Sequence, residues 1–295
     1  MLTIFSTPKP FQGHIGIIQR NAIQSWKQLH PDVEVILFGD DAGAAEASAI
    51  LGARHVPSVQ RNEHGTKFLP SIFDQAQDLA RHEVLCYVNC DIVLMSDYIR
   101  ALSDVVNRFS RFLMVGRRWD TNILQAIEFD KPEWQEGLRQ KAREENHQRP
   151  PQWIDYFAFR RGLYYRNTPP FVIGRTSWDN WLLWKARASG AAVVDASSVI
   201  LAVHQNHDYL YHPDGKVGVW SGEEAIRNYK LAGGWRHLYT IENATHKLTE
   251  SGLLRNWRHD VILIKREIER DWALMRALPR APAWICSRLR GGQQG

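Results

Sequence analysis

The stretch Val84-Leu85-Cys86-Tyr87-Val88-Asn89-Cys90-Asp91 decides the fold class of this chain. Its first five residues are apolar on both faces, which is typical of a central parallel strand covered by helices on both sides. The apolar run ends abruptly in Asn-x-Asp. Because side chains alternate along a strand, Asn89 and Asp91 lie on one side of the chain. The sequence therefore predicts two oxygen-bearing side chains where a buried strand ends.

Strand and helix patterns alternate on either side of this stretch. Short β-rich runs at 2–5, 33–38, 54–56 and 112–115 are separated by helical periodicities at 15–26, 43–51, 68–79 and 97–109. This alternation predicts an α/β fold with a doubly wound, mostly parallel sheet and helices on both faces. Such sheets bind ligands in the crevice at the carboxyl ends of their strands. The residues at those ends are polar: Ser6, Thr7, Asp40, Asp41, Asn89, Asp91, Arg117 and Arg118.

The second half alternates less regularly. Residues 121–152 are polar and predict a solvated insertion, with a mobile lid as the alternative. Strands are predicted at 153–159, 192–195 and 198–203, the last running into His204, and a helix begins near Ser177. A basic amphipathic helical tail is predicted at 255–295. The chain therefore divides at 1–120, 121–152, 153–254 and 255–295.

Composition excludes several classes of protein. The chain has 295 residues, 44% hydrophobic, and a formal net charge of +5. Residues 255–295 hold nine basic and four acidic residues, which leaves 28 of each in residues 1–254. A uniformly basic nucleic-acid-binding domain is disfavoured, and no nucleic-acid partner is expected. No G-x-G-x-x-G follows the first strand and no P-loop motif occurs. Three cysteines, no leader pattern and no long apolar stretch favour a cytoplasmic location.

Taken in order, these motifs resemble glycosyltransferases of the GT-A nucleotide-sugar fold. The resemblance covers about residues 2–250 and includes the Asn-x-Asp strand end, the helix ending Gln77-Asp78-Leu79-Ala80 before it, and a histidine after a late strand. Four phrases look like those of a bacterial family within this fold: VGRRWD (115–120), IDYF (154–157), WDNWL (178–182) and HQNHDY (204–209). The resemblance implies that residues 1–120 bind a UDP- or GDP-sugar donor. It also implies that residues 153–254 hold the catalytic residues and bind a glycan or lipid-linked acceptor.

The resemblance also implies a divalent metal, Mn²⁺ or Mg²⁺, held against the donor diphosphate by Asp91 with His204 or His207. The first acid of the usual D-x-D motif is Asn89 here, which brings no charge to a cation. One carboxylate is compatible with such a metal, because phosphate oxygens complete the shell. The H-x-x-H spacing would also suit zinc, although no cysteine pair accompanies it. The structural alternatives are a turn cap at Asn-x-Asp and hydrogen-bonded structural histidines.

Further donor-binding residues follow from the same resemblance. An arginine fork suits a diphosphate, whereas each charged residue alone is also compatible with an exposed surface charge. The donor-binding candidates are Ser6, Thr7, Asp40, Asp41, Arg61, Thr66, Lys67, Asn89, Arg117, Arg118 and Asp120.

Asp179 is the candidate catalytic base of an inverting enzyme. We expect Ser177 to cap a helix and place Asp179 in its first turn, although an acid there also stabilises the helix dipole. Asp155 is the alternative base or an acceptor-binding residue. Trp153 and Trp178 are candidate acceptor platforms, because flat aromatic faces suit sugar rings.

Two other functions remain open from the sequence. A sugar-1-phosphate nucleotidyltransferase would need a glycine-rich basic loop after the first strand, where STPKPFQGH (6–14) has one glycine. A non-catalytic nucleotide-sugar or RNA-binding module is the third hypothesis. The basic and aromatic residues at 276–290 predict reversible contact with an anionic membrane at its inner surface.

Overall fold

The computed structural model describes residues 1–208, 215–258, 261, 264, 265 and 268. The chain divides into two units, Met1–Asn256 and Trp257–Gly295. In the second unit, residues 261, 264, 265 and 268 have helical backbone, and the basic segment predicted at 276–290 lies outside the described residues. Within the described part of the chain, no helix combines the length and the apolar character that crossing a bilayer requires.

The described residues of the unit Met1–Asn256 form twelve strands and eight α-helices. The strands are β1 (Leu2–Ser6), β2 (Glu34–Phe38), β3 (Arg54–Val56), β4 (Val84–Val88), β5 (Ile92–Val93), β6 (Phe112–Val115), β7 (Arg118–Thr121), β8 (Tyr156–Arg160), β9 (Ala192–Asp195), β10 (Ala202–Gln205), β11 (His246–Thr249) and β12 (Gly252–Arg255). The helices are α1 (Gly13–Gln28), α2 (Ala44–Leu51), α3 (Leu69–Leu79), α4 (Ser96–Arg108), α5 (Trp134–Glu145), α6 (Trp178–Ala188), α7 (Gly215–Ser221) and α8 (Glu223–Leu231).

Nine strands form the main sheet, in the order β12-β11-β9-β6-β8-β4-β1-β2-β3. Strands β1 to β4 pair in parallel, as do β6 with β9 and β9 with β11. Only β8 and the terminal β12 run against their neighbours. The predicted doubly wound, mostly parallel α/β sheet is confirmed.

Helices cover both faces of this sheet. Alternate residues along the strands therefore pack into two different hydrophobic clusters, one on each face. On one face, Phe5 and Tyr87 pack with α3 and α6. On the other face, Ile4 and Cys86 pack with α1 and α4. Strand β4 is buried along its whole length, as expected from its continuous apolar sequence.

A second, three-stranded sheet has the order β5-β10-β7 and was not predicted. Arg118 and Asp120 were predicted at the end of the strand at 112–115, but both lie in a separate strand, β7, and are buried. It also ended the late strand at residue 203, whereas β10 begins at Ala202 and contains His204. The predicted strand at 153–159 begins only at Tyr156, and β8 is antiparallel.

Residues 121–152 include α5, which buries Leu138 and Ala142. The carboxylate of Asp97 on α4 accepts a hydrogen bond from Arg139 of α5 at 2.5 Å and another from the Leu201 N–H at 3.1 Å. Both side chains of the ion pair are largely buried. One carboxylate therefore joins α4, α5 and the residue that precedes β10.

Candidate active site

A cavity of about 1080 Å³ opens beside the residues that follow β1, β2 and β4. This is the crevice expected for a doubly wound sheet. Most of the predicted site residues line it together: Thr7, Asp41, Arg61, Thr66, Lys67, Asn89, Asp91, Arg118, Trp153, Asp155, Trp178, Asp179, His204 and His207.

Four of the predicted donor-binding residues are not among the residues that line the cavity. Ser6 is buried and its hydroxyl donates to the Val88 carbonyl at 2.5 Å. Asp40 is exposed and pairs with Arg61. Arg117 donates from Nε to the Arg149 carbonyl at 2.6 Å. Asp120 lies behind His204, where it contacts the imidazole.

Asp91, His204 and His207 form a cluster whose ligand atoms all lie within 4.8 Å of one another. Nε2 of His207 is 3.1 Å from the Asp91 Oδ2 atom, and Nε2 of His204 is 3.8 Å from the same oxygen. The other carboxylate oxygen, Oδ1 of Asp91, is buried and has no hydrogen-bond partner among the described residues. One carboxylate and two imidazoles therefore converge on a point at the wall of the cavity.

The strand register of the small sheet brings Asp91 and His204 together. Strand β10 pairs His204 with Ile92 of β5 on one side and with Asp120 of β7 on the other. Asp91 immediately precedes β5, and its carbonyl accepts the Gln205 N–H at 3.1 Å. Residues that are more than 100 positions apart in the sequence thus become immediate neighbours.

Asp91 remains a carboxylate despite its surroundings. Burial alone would raise its pKa, but the charge of His204, the hydrogen bond and charge of His207, and the charge of Lys9 hold the pKa of Asp91 well below its ordinary value. Lys9 lines the same cavity, and its own pKa is lowered by burial and raised in part by Asp91. A negative oxygen is therefore available to a cation at this point.

Asp120 supports His204 from the side opposite Asp91. Nδ1 of His204 lies 3.3 Å from the Asp120 Oδ1 atom, which is an ion-pair distance, and this nitrogen has no hydrogen-bond partner among the described residues. Asp120 also accepts from Nε of Arg118 at 3.0 Å and from Nε of Arg149 at 2.7 Å. Burial favours the neutral acid, but His204 and Arg118 lower the pKa of Asp120. A carboxylate behind an imidazole orients the ring and fixes which nitrogen faces a ligand.

Asp155 uses both carboxylate oxygens within the protein. Oδ1 accepts the Asn89 side-chain amide at 2.6 Å, and Oδ2 accepts NH1 of Arg118 at 2.7 Å. Both partners of the Arg118–Asp155 ion pair are buried. Arg118 thus bridges Asp155 to Asp120, and a continuous polar chain runs from Asn89 to His204.

Lys67 binds both Thr7 and Asp41 in another part of the cavity lining. The Lys67 ammonium donates to the Thr7 hydroxyl at 2.7 Å, to the Pro8 carbonyl at 3.1 Å and to the Asp41 carboxylate. This arrangement requires glycine at position 39, because φ is +114° and a Cβ atom there would lie 2.6 Å from the Lys67 ammonium. The three predicted donor-binding residues therefore form a rigid unit.

Asp179 lies in the first turn of α6, as predicted. Ser177 does not cap the helix as expected: it has φ of +87° and makes no side-chain cap hydrogen bond. Burial raises the pKa of Asp179 to about 7, opposed in part by backbone N–H groups at the start of the helix. Its Oδ1 atom is buried and has no hydrogen-bond partner in the described part of the chain. Asp179 therefore titrates near neutral pH and can exchange a proton.

The two predicted aromatic platforms differ in exposure. Trp178 is buried and packs edge-on against Tyr87, with ring centroids 5.5 Å apart. The half-buried Trp153 ring contacts the guanidinium groups of Arg118 and Arg149, whose central carbons lie 4.9 and 5.1 Å from the ring centroid. Its ring also contacts Trp220 of α7, with centroids 4.8 Å apart.

Several residues of the cavity were missed from the sequence. Lys9 follows β1 without any motif, and Trp220 comes from a helix that the sequence analysis did not single out. The buried pair of Arg175 and Glu224, 2.5 Å apart, also lines the cavity. The position of Lys9 after a strand that ends at the crevice was the one usable signal.

Comparison of the chain with known proteins found similarities to solved structures. No family model and no curated protein matches the chain. Glucosyl-3-phosphoglycerate synthase from Mycobacterium tuberculosis, in complex with Mg²⁺ and uridine diphosphate, is 13% identical with a TM-score of 0.47, over 79% of this chain and 80% of that one. The same enzyme with Mn²⁺, uridine diphosphate and glucosyl-3-phosphoglycerate is 14% identical with a TM-score of 0.46, over 79% and 80%. S. aureus TarS 1–349 is 10% identical with a TM-score of 0.42, over 70% and 58%.

Proposed function

We propose that this protein is a metal-assisted glycosyltransferase that moves a sugar from a nucleoside diphosphate to a hydroxyl acceptor, with inversion at the anomeric carbon. One observation carries the proposal: a carboxylate and two imidazoles converge on the wall of a large cavity that also contains a carboxyl group titrating near pH 7. The cavity lies where doubly wound sheets bind nucleotides. The GT-A resemblance of the sequence points to the same chemistry.

The residues present fit a divalent cation. Oδ1 of Asp91 is buried without a partner among the described residues, which a bound cation would satisfy. Two nitrogen donors make the site softer than the all-oxygen shell that Mg²⁺ prefers, so Mn²⁺ is the better candidate of the two. Asp91, His204 and His207 would hold it. When bound, the cation would stabilise the negative charge that develops on the leaving diphosphate.

Positive charge on the protein would assist the same leaving group. Lys9 lies near Asp91 in the cavity, and Arg61 lies on the wall that carries Asp41 and Lys67. Arg118 is compensated by Asp120 and Asp155, so it orders the site rather than adding an unpaired charge. The Thr7–Asp41–Lys67 unit would bind the nucleoside, for which a uridine or guanosine diphosphate is proposed.

Asp179 would take the proton of the acceptor hydroxyl. A base with a pKa near the working pH combines a useful deprotonated fraction with a strong driving force for proton transfer. Asp155 is a weaker candidate, because both of its oxygens already accept hydrogen bonds. The Trp153 ring, which contacts Trp220, would pack against the acceptor, for which a glycan or lipid-linked sugar is proposed.

A panel of UDP- and GDP-sugars tests this function, with and without Mn²⁺, by measuring release of the nucleoside diphosphate. We expect one donor to turn over with Mn²⁺, and turnover to be lost in Asp91→Ala and His204→Ala. The exposed variant Asp104→Asn serves as the control.

Two results would contradict the proposal. Release of pyrophosphate from a nucleoside triphosphate and a sugar 1-phosphate would identify a nucleotidyltransferase. Tight binding of a nucleoside diphosphate without turnover of any donor, with acceptors supplied, would indicate a binding module.

A further inference from the structure

We propose that Asn89 and Asp155 are an exchangeable amide–carboxylate pair, and that the acid at position 155 is the reason why position 89 carries an amide instead of a second acid. In this proposal Asn89 is a positioning residue for Asp155 and for the adjoining Arg118, instead of a ligand of donor or metal. The inference deepens the proposed function, and its first readout does not depend on that function.

The sheet register makes the pairing obligatory. Strands β4 and β8 are antiparallel, with Val88 opposite Tyr156. The next pair outward is Asn89 and Asp155, and the Asn89 N–H donates to the Asp155 carbonyl at 2.9 Å. The two side chains then meet at 2.6 Å, from the Asn89 amide nitrogen to the Asp155 Oδ1 atom. A backbone hydrogen bond and a side-chain hydrogen bond therefore join the same two residues.

The chemistry of this contact permits only one charge. A carboxylate at 155 accepts hydrogen bonds and donates none, so its neighbour at 89 must be a donor. The other oxygen of Asp155 is already bonded to Arg118, which also serves Asp120. A second carboxylate at 89 would place two anions in hydrogen-bond contact beside one arginine, and burial makes such repulsion costly. The amide at 89 follows directly from the acid at 155.

The two functional groups should be exchangeable. If position 89 held the acid and position 155 the amide, the amide nitrogen at 155 would donate to the carboxylate at 89, and the amide oxygen would accept from Arg118. Every hydrogen bond of the present network would then have a counterpart, and the net charge would be unchanged. Asn89→Asp combined with Asp155→Asn is therefore the decisive variant.

The experiment measures thermal unfolding of the full chain without metal or donor, for Asn89→Asp, Asp155→Asn and the double variant. We expect Asn89→Asp to lower the Tm by roughly 5 °C or more, as breaking a buried polar network does in a chain of this size. We expect the double variant to recover more than half of that loss. If Asn89→Asp fails to accumulate as folded protein, its recovery in the double variant is the expected result.

The matched control is Asn122→Asp, because the Asn122 amide lies in an exposed contact with Asn206. It adds the same charge at an exposed position directly after β7, and its Tm should stay within about 2 °C of the parent. A Tm of Asn89→Asp equal to that of the control would overturn the proposal, as would a double variant no more stable than Asn89→Asp alone. Failure of the proposed function would instead appear as absent donor turnover in the parent chain, with these Tm differences intact.

Discussion

Asp155 and Asp179 line one cavity, but their surroundings give the two carboxyl groups different chemistry. Asp155 is held by an arginine and an amide, both of which favour an oxygen that only accepts hydrogen bonds. Asp179 is buried without such a partner for Oδ1 among the described residues, and its pKa is raised to about 7. When two carboxyl groups differ in this way, the one with the raised pKa is the better proton acceptor at neutral pH.

Replacing the base should slow transfer without weakening donor binding. For Asp179→Asn we expect the rate at saturating donor to fall by about 10²–10⁴, the usual contribution of a positioned base. In the parent enzyme this rate should rise with pH through about 7, as the carboxyl group loses its proton. Donor titration and a pH–rate profile measure both effects. A product that retains the anomeric configuration would rule out this role.

The same substitution should stabilise the protein. Because the folded-state pKa of Asp179 is raised above its unfolded value, the folded state binds an extra proton between about pH 4 and 7, and stability falls as pH rises through that window. An amide at this position never ionises, so the advantage of Asp179→Asn should grow from pH 5 to pH 8, reaching a few kcal/mol as an order of magnitude. Thermal unfolding at the two pH values measures it. An equal Tm difference at both would contradict the raised pKa.

Asp120 should control metal affinity without touching the metal. In Asp120→Asn the negative charge beside His204 Nδ1 is lost, and one of the two arginine contacts faces an amide N–H, so the imidazole loses its electrostatic support. We expect Mn²⁺ binding to weaken about 10–100-fold, the usual effect of removing such a support. Titration calorimetry of the metal alone measures it, with the exposed Asp104→Asn as control. Unchanged affinity would show that Asp120 only stabilises the fold.

Strand ends made some of the site predictable from the sequence. Asp91, His204 and His207 were singled out by their position after apolar runs, and the structure brings them together. The pairing of Asn89 with Asp155 could not be predicted, because it depends on the register between β4 and the antiparallel β8, which hydrophobic periodicity does not reveal. Lys9 was missed because a single lysine in a loop carries no pattern.

At the scale of elements, a buried ion pair joins α5 to α4, in addition to the apolar packing of Leu138 and Ala142. Arg139→Ala would leave Asp97 in its buried position without its cation. We expect a loss of roughly 3–5 kcal/mol in the free energy of unfolding, which chemical denaturation measures. Lys141→Ala on the same helix removes only the exposed pair with Glu145 and should cost less than about 0.5 kcal/mol. Equal losses for the two variants would mean that the Arg139 contact is dispensable.

The first half of the main sheet was predictable because β1, β2, β3, β4 and β6 alternate with helices, whereas β11 and β12 were not predicted. The small sheet was not, because β5 has two residues and β7 and β10 have four each. Strands this short show no period, and their pairing is decided by contacts between distant parts of the chain. The antiparallel direction of β8 could not be predicted either, because an apolar run has the same pattern in a parallel and an antiparallel strand.

For the whole molecule, the uneven charge makes a separate prediction. All of the net positive charge arises from residues 255–295. We expect the full chain to co-sediment with anionic vesicles more than a chain ending at Ala277 does, and neither to bind neutral vesicles appreciably. Equal binding of both chains to anionic vesicles would show that residues 278–295 make no contribution.

The order in which the chain is synthesised has a consequence for how the metal cluster assembles. Asp91 precedes His204 by 113 residues, and the β5–β10–β7 sheet that joins them needs a strand from each part. At about 5–20 residues per second, the ribosome needs roughly 6–23 s to extend from one ligand to the other. During that interval β1, β2 and β4 can pair, but the emerging chain cannot form the three-residue cluster. The proposed cation can therefore be held by all three side chains only after the second half of the chain has been synthesised and β10 has paired with β5.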